Sequence, residues 1–182
     1  MLTPGVGVLL GFVLVVGNPW LNRDIILALS DVESSIRIAD VLVSYPSWHV
    51  NDHRVGPFLF WFMNLRTVLF VALAIAGLAK VPRWVSPAAG GVGLFVTTVG
   101  MTTLSAVTAG LVSATAAVTL LDSRSVLPFI SSDRPEEFLL AQLGSSASFG
   151  LMFGLVLGAV AVMHRPSPVS RERRVTAPKS FW

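Results

Sequence analysis

Three side chains that can bind metal ions or carry protons stand close together in the first third of the chain. His49, Asp52 and His53 all lie within the segment Trp48–Arg54. Imidazole nitrogens and carboxylate oxygens are common zinc ligands, and histidine titrates near neutral pH. The two histidines are four residues apart, so only a helix would point both side chains the same way. Because Gly56-Pro57 follows closely, we interpret the segment mainly as a polar loop and keep a metal or proton-relay trio as the weaker alternative.

Arg66 is the one charged residue in an apolar block that runs from Val55 to Ala79. A charge at the centre of a membrane helix costs about 2.5–3.5 kcal/mol on insertion scales, and such residues are candidates for function. The other apolar blocks contain no Asp or Glu. A buried Arg66 would therefore need Asn64, Gln142, backbone carbonyls, lipid phosphate or a carboxylate from another protein. In the alternative interpretation, Arg66 extends its guanidinium to the outer headgroups.

The remaining composition excludes several classes of chemistry. The chain has no cysteine, so it forms no disulfide, thiolate nucleophile, iron–sulfur cluster or thiolate zinc site. It has no nucleophile elbow, phosphate-binding glycine loop or HExxH motif. We therefore predict no enzyme activity, no cofactor and no nucleic-acid partner. The lack of an acidic residue inside an apolar block also argues against a self-contained proton pump or cation-coupled transporter.

Long uncharged blocks indicate that these residues belong to a protein embedded in a lipid bilayer. The 38 residues between Arg83 and Asp122 carry no charged side chain, about twice the length that a helix needs to cross a bilayer. Similar blocks precede Arg23 and lie between Glu137 and Arg165. The mean hydropathy is +0.73 and only 13% of the residues are charged. These values are typical of an integral membrane protein.

The blocks predict an all-α membrane domain over residues 1–164 with four transmembrane helices. Their expected positions are about 4–21, 57–81, 88–121 and 137–163, joined by outer loops at 22–56 and 122–136. Pro19 is expected to kink or end the first helix, Pro82 to follow the end of the second, and Pro135 to signal the start of the fourth. The first block lacks the basic start and cleavage site of a signal peptide, so we interpret it as a retained helix.

The first outer loop carries the signature of a short helix. Ser30 and Glu33 match a capping box, and apolar residues then recur at helical spacing up to Val43. We predict an amphipathic helix at about Asp31–Val43. It packs over the loops of the bundle or, in the alternative, offers a docking surface to a partner.

The distribution of basic residues predicts the orientation in the membrane. The loop after helix 2 and the tail at 165–182 hold seven Lys and Arg residues, whereas the two longer loops hold five. By the positive-inside rule, both termini face the cytoplasm. The tail should bind anionic lipid through its arginines. These are Arg165, Arg171, Arg173 and Arg174. Eleven arginines against two lysines suggest a bacterial source, and hence the bacterial plasma membrane.

Rows of small residues predict close packing between helices, or between this chain and a partner. Ser146, Gly150, Gly154 and Gly158 recur every four residues on helix 4, which makes two overlapping GxxxG motifs. Helix 3 offers a matching row that includes Ala106 and Gly110, and helix 1 offers Gly7 and Gly11. Helix 3 also carries nine hydroxyl groups, which either bond the carbonyl one turn earlier or line a polar path.

Together these features favour a non-catalytic accessory or assembly subunit of a larger membrane complex, of the respiratory or cell-envelope type. Its partners would be other integral membrane subunits and anionic lipid. The alternative is a small channel or transporter built from several copies of the chain. Copies around a pore would place helix 3 or helix 4 along its wall.

Overall fold

The computed structural model describes residues 4–30, 41–50, 52–86, 89–120 and 135–164, and every regular element within them is helical. The helices are α1 (Pro4–Val16), α2 (Pro19–Ser30), α3 (Asp52–Val55), α4 (Pro57–Trp84), α5 (Gly90–Leu120) and α6 (Pro135–Met163). Residues 41–44 form a further helical turn.

Three of these helices, α4, α5 and α6, are long and apolar enough to cross a membrane. Two exposed tryptophans, Trp61 and Trp84, stand near opposite ends of α4. At 1.5 Å per residue they are about 35 Å apart, which suits the two interfaces of a bilayer with a core about 30 Å thick. The apolar helices therefore indicate a multi-pass membrane protein.

The first predicted helix, 4–21, differs from what the structure contains. α1 ends at Val16, and α2 starts only three residues later at Pro19. Asn18 causes the restart, because its Oδ1 accepts a hydrogen bond from the backbone N–H of Trp20 at 3.0 Å, as a helix N-cap does. Pro19 then occupies the first turn, where its missing N–H is tolerated. A residue that we expected to end a helix therefore begins one, and α1 is only about 20 Å long.

The other helix ends shift by a few residues from the prediction. α4 continues past Pro82 to Trp84, and Val85 leaves the helix with φ −85° and ψ 116°. Pro82 withholds a single N–H inside the last turn, so the helix ends shortly after it instead of before it. α5 begins at Gly90, whose φ of 65° is unfavourable for any residue with a side chain. Pro135 is itself the first residue of α6.

Glycines on α6 let it pack closely against α5. A Cβ atom at Gly150 would lie 2.6 Å from Thr103 Cα, and one at Gly154 would lie 3.1 Å from Val99 Cα. Both distances are shorter than normal contacts between carbon atoms. The close backbone approach predicted from the GxxxG spacing is thus present between helices of the same chain.

The short helix α1 runs antiparallel to α4 and α6. Its buried Val6 and Leu9 belong to the same core cluster as Leu78 and Leu157, near the C-terminal ends of those helices. The other end of α1 meets the segment 41–50, because Gly17 O accepts the backbone N–H of Trp48 at 3.0 Å.

The outer loop predicted at 22–56 is largely structured. It contains most of α2, the turn at 41–44 and α3. Tyr45, Pro46 and Ser47 are buried within the bundle. Because α1 is short, the segment 41–50 packs beyond its end, between the long helices.

Several predictions lie outside the described residues. One is the amphipathic helix predicted at Asp31–Val43. Only its last three residues, 41–43, are described, and these are helical. The others concern nearly all of the loop 122–136 and the tail 165–182 with Arg165, Arg171, Arg173 and Arg174.

Candidate functional site

Arg66 lies inside the bundle, with only 5% of its surface exposed. Its Nη2 donates hydrogen bonds to the backbone oxygens of Tyr45 at 2.9 Å and Ser44 at 3.2 Å. Its Nη1 donates a longer bond of 3.5 Å to Gln142 Oε1 on α6. Backbone carbonyls and Gln142 were among the acceptors that the sequence offered, and all three partners belong to this chain. The guanidinium does not extend to the headgroups.

Aromatic rings enclose the same guanidinium. Its Cζ lies 4.4 Å from the ring centre of Tyr45 and 5.1 Å from that of Phe62. Both distances fall within the range of cation–π attraction, which strengthens when water is excluded. The Tyr45 ring in turn stacks on Phe149 of α6, with 4.1 Å between ring centres. Among the described residues, the positive charge is therefore balanced by carbonyl dipoles and ring faces.

Tyr45 connects this site to α5. Its hydroxyl donates a hydrogen bond of 2.6 Å to the carbonyl oxygen of Ala106, which is near the middle of α5. Tyr45 is the only tyrosine in the chain. Its backbone carbonyl contacts Arg66 of α4, its ring contacts Phe149 of α6, and its hydroxyl contacts Ala106 of α5. The segment 41–50 is thereby fixed at about mid-height of the long helices.

Further hydrogen bonds satisfy the irregular backbone of the segment 41–50. Thr67 Oγ1 lies 3.3 Å from Ser47 O, although Met63 O, at 2.9 Å, is the closer acceptor for its single proton. The side chain of Asn64 forms two bonds of 3.0 Å with His49, accepting from its N–H and donating to its carbonyl. Non-helical backbone at membrane depth is stable only where protein groups or water replace the missing helical bonds. Here the third turn of α4 supplies such groups.

The break between α1 and α2 is secured by one side chain. Asn22 Nδ2 donates to Val16 O at 2.8 Å and to Val43 O at 2.7 Å. The first bond satisfies a carbonyl at the C-terminal end of α1, and the second reaches the segment 41–50. Asn22 therefore joins the end of the short helix to the segment that packs beyond it.

Two polar atoms of the buried network have no hydrogen-bond partner among the described residues, namely Arg66 Nε and Ser146 Oγ. An unpaired buried polar group costs about 1–3 kcal/mol. Ser146 also lies against Gly110, where an added Cβ would collide with its hydroxyl.

The trio of His49, Asp52 and His53 stays a prediction, because the side chain of Asp52 lies outside the described residues. Among the described residues, no three His, Asp or Glu side chains lie close enough to hold one ion. His49 precedes α3, whereas Asp52 and His53 belong to it. His53 is exposed. The neighbour of His49 is instead Met63, with 2.9 Å between Nε2 and Sδ. Burial, and secondly the charge of Arg66, lower the pKa of His49 below its usual value.

The rows of small residues separate into two groups. Gly110, Gly150, Gly154 and Gly158 are buried against neighbouring helices, together with Ala106 and Ser146. Gly7 and Gly11 on α1 are exposed, and a Cβ atom at either position would meet nothing within 4 Å. Their row packs against nothing in the described chain.

The hydroxyl groups of α5 mostly bond to their own helix. Thr98, Thr102 and Ser105 each donate to the carbonyl four residues earlier, at 2.7–2.9 Å. Thr103 and Thr119 do the same. This is the arrangement expected of hydroxyl groups that need no water, and it leaves little support for a continuous polar path along α5.

Fold and site together define an all-helical, multi-pass membrane protein with a buried arginine that holds a non-helical segment between its long helices. No known protein family, curated protein or solved structure matches this chain.

Proposed function

We propose that this protein is a non-catalytic accessory or assembly subunit of a larger membrane complex. The proposal is based on the contacts of Arg66, the one charged residue in the apolar block from Val55 to Ala79. Both terminal nitrogens of its guanidinium bind acceptors of the same chain. The terminal nitrogens of Arg66 thus hold the described bundle together, which favours a structural role for this charge over one in transport.

The lack of an acidic residue in the membrane interior also supports a scaffold over a transporter. α4 and α5 contain no Asp or Glu, and those of α6 lie in its first turn. Coupled transport needs an embedded group that exchanges a proton or cation, and a carboxylate is the usual one. An arginine fixed by two carbonyls does not exchange its proton.

The outer face of α1 is the proposed contact with a partner subunit. Gly7 and Gly11 are exposed there, one turn apart, whereas Gly150, Gly154 and Gly158 of α6 are covered by α5. Small residues let the backbones of two membrane helices approach closely, which is the main source of their association in lipid. The partner would therefore present a membrane helix of its own, and the basic tail would add binding to anionic lipid.

The proposed setting is the bacterial plasma membrane, with both termini in the cytoplasm. In this topology α1 supplies the cytoplasmic half of a fourth, interrupted crossing. The segment 41–50 fills space in the other half. The antiparallel course of α1 and α4 supports this arrangement.

Purification in a mild detergent followed by native mass spectrometry tests the proposal. We expect this chain to elute with other membrane proteins in fixed stoichiometry. A ring of identical chains would contradict the proposal and support the pore interpretation. A lone monomer from membranes that contain the chain at its natural level would contradict both.

A further inference from the structure

We propose that His49 and Met63 form a binding site for a soft monovalent metal ion of the Cu(I) class. The site lies at the N-terminal end of α4, outside the network around Arg66, and it is independent of the function proposed above.

The two donor atoms already face each other. His49 Nε2 lies 2.9 Å from Met63 Sδ, and Ser47 Oγ donates to the same sulfur at 3.3 Å. Both His49 and Met63 are half-buried, so the pair is not sealed inside the described bundle. A thioether in a membrane protein usually packs against apolar groups, but two polar side chains converge on this one.

Both donors are held by rigid surroundings. Met63 lies in the second turn of α4, and the backbone of His49 is clamped by the two hydrogen bonds to the Asn64 side chain. Met63 of α4 thus supplies one ligand, and its neighbour Asn64 holds the backbone of the other ligand, His49. Fixed orientation of a ligand by surrounding hydrogen bonds is typical of metal sites.

The chemistry of the donors selects the ion. Thioether sulfur is a soft ligand that favours Cu(I), and imidazole also binds copper well. The chain has no cysteine, so thioether and imidazole are the donors through which it can hold such an ion. Zinc and calcium sites usually include thiolate, several imidazoles or carboxylates, which this pair does not offer.

The geometry requires a movement of one side chain. With a metal about 2.0 Å from nitrogen and about 2.3 Å from sulfur, the two donors lie about 3.5 Å apart at a tetrahedral angle and about 4.3 Å apart in a linear arrangement. The sulfur must therefore move by roughly 0.6–1.4 Å from its present 2.9 Å, which the three rotatable bonds of methionine permit.

The nearby charge of Arg66 favours a monovalent over a divalent metal ion. The positive charge of Arg66, which acts on His49, repels a bound cation, and this repulsion is twice as large for a divalent ion as for a monovalent one.

Titration of the purified, full-length protein with Cu(I) under anaerobic conditions, in competition with a chromophoric Cu(I) chelator, tests the site. We expect one Cu(I) per chain and at least a tenfold weaker affinity in Met63→Leu and in His49→Gln. Leucine keeps the volume of the methionine, and the backbone clamp on His49 does not depend on its side chain. Met152→Leu and His164→Gln are the matched controls and should bind as the wild type does.

X-ray absorption at the copper edge supplies a readout that a loss of folding cannot imitate. The wild type should show one sulfur and at least one nitrogen scatterer, and Met63→Leu should lack the sulfur. A wild-type protein that takes no Cu(I) from the chelator overturns the proposal. Equal affinity in Met63→Leu, or a copper shell without sulfur, overturns it as well.

Discussion

Arg66 Nη2 donates a hydrogen bond of 2.9 Å to the carbonyl oxygen of Tyr45, so a charge on α4 holds a non-helical segment inside the bundle. An arginine near mid-membrane usually pairs with a carboxylate, lines a water-filled cavity or extends to the headgroups. Here it replaces the helical hydrogen bonds that the segment 41–50 lacks. Nη2 alone reaches the two successive carbonyls of Ser44 and Tyr45 through its two N–H groups, while Nη1 of the same planar group reaches Gln142.

Arg66→Leu is expected to lower the stability of the protein in detergent. The carbonyls of Ser44 and Tyr45 would lose their donor, at a cost of about 1–3 kcal/mol for each unpaired buried group. Arg66→Lys should recover only part of the loss, because one ammonium nitrogen cannot take the positions of both Nη2 and Nη1 or lay a flat face against the Tyr45 ring. Thermal unfolding followed by tryptophan fluorescence measures the effect. Arg83→Gln changes an exposed arginine and is the matched control. Wild-type stability in Arg66→Leu would show that the segment is held by other contacts.

Tyr45→Phe is expected to cost about 0.5–1.5 kcal/mol, because it removes one hydrogen bond to Ala106 O and keeps the ring. Tyr45→Ala should cost clearly more, since it also removes the stacking on Phe149. The same unfolding experiment compares the two. Equal losses would mean that the aromatic contact contributes nothing.

Gly154→Leu should separate α6 from α5, because the backbone of Val99 already lies at contact distance from the missing Cβ. We expect low yield or rapid degradation. Gly144→Leu is the matched control on the same helix, since a Cβ there meets nothing within 4 Å. The account predicts a large difference between the two variants in expression and unfolding temperature, and equal behaviour would contradict the packing.

The stability of the protein should fall as the pH drops from about 7.5 to 5.5. The pKa of His49 is lowered in the folded protein, so the unfolded chain binds more protons in this window. Stability is therefore fully present above the unfolded pKa of about 6.5 and declines below it. His49→Gln should flatten the dependence measured by thermal unfolding, whereas the exposed His164→Gln should not. An unchanged slope in His49→Gln would assign the effect to another group.

Single cysteines test the proposed topology, because the natural chain contains none. Val50→Cys should react with an impermeant thiol reagent in intact cells, whereas Pro4→Cys and His164→Cys should react only after lysis. All three positions are exposed. Labelling of Pro4→Cys in intact cells would place the start of α1 outside. The chain would then have three crossings and termini on opposite sides.

Much of the fold can be predicted from the sequence, because few backbone conformations of a long uncharged block satisfy their own hydrogen bonds in lipid. α4, α5 and α6 lie where the blocks predicted them, within a few residues at each end. The break after Val16 was missed, because Pro19 can either end a helix or occupy its first turn. Only the side chain of Asn18 decides between the two.

The candidate site was predictable only in part. Arg66 stands out as a lone charge, and Gln142 and carbonyls were among its expected acceptors. The role of Tyr45 was missed, although a single tyrosine beside a proline is an available signal. Its contacts with Arg66 and Ala106 span 21 and 61 residues of sequence, which periodicity cannot connect. Met63 was missed for the same reason, since it resembles any other apolar residue of α4.

The most direct test of the proposed function is photocrosslinking from the outer face of α1 in native membranes. A photoreactive amino acid at Gly11 should form an adduct with another integral membrane protein. The same residue at the exposed Leu151 of α6 should form none, and Gly11→Leu should reduce recovery of the partner without lowering the unfolding temperature. The account predicts one foreign subunit crosslinked in high yield. Adducts with lipid alone, or only with copies of this chain, would contradict it.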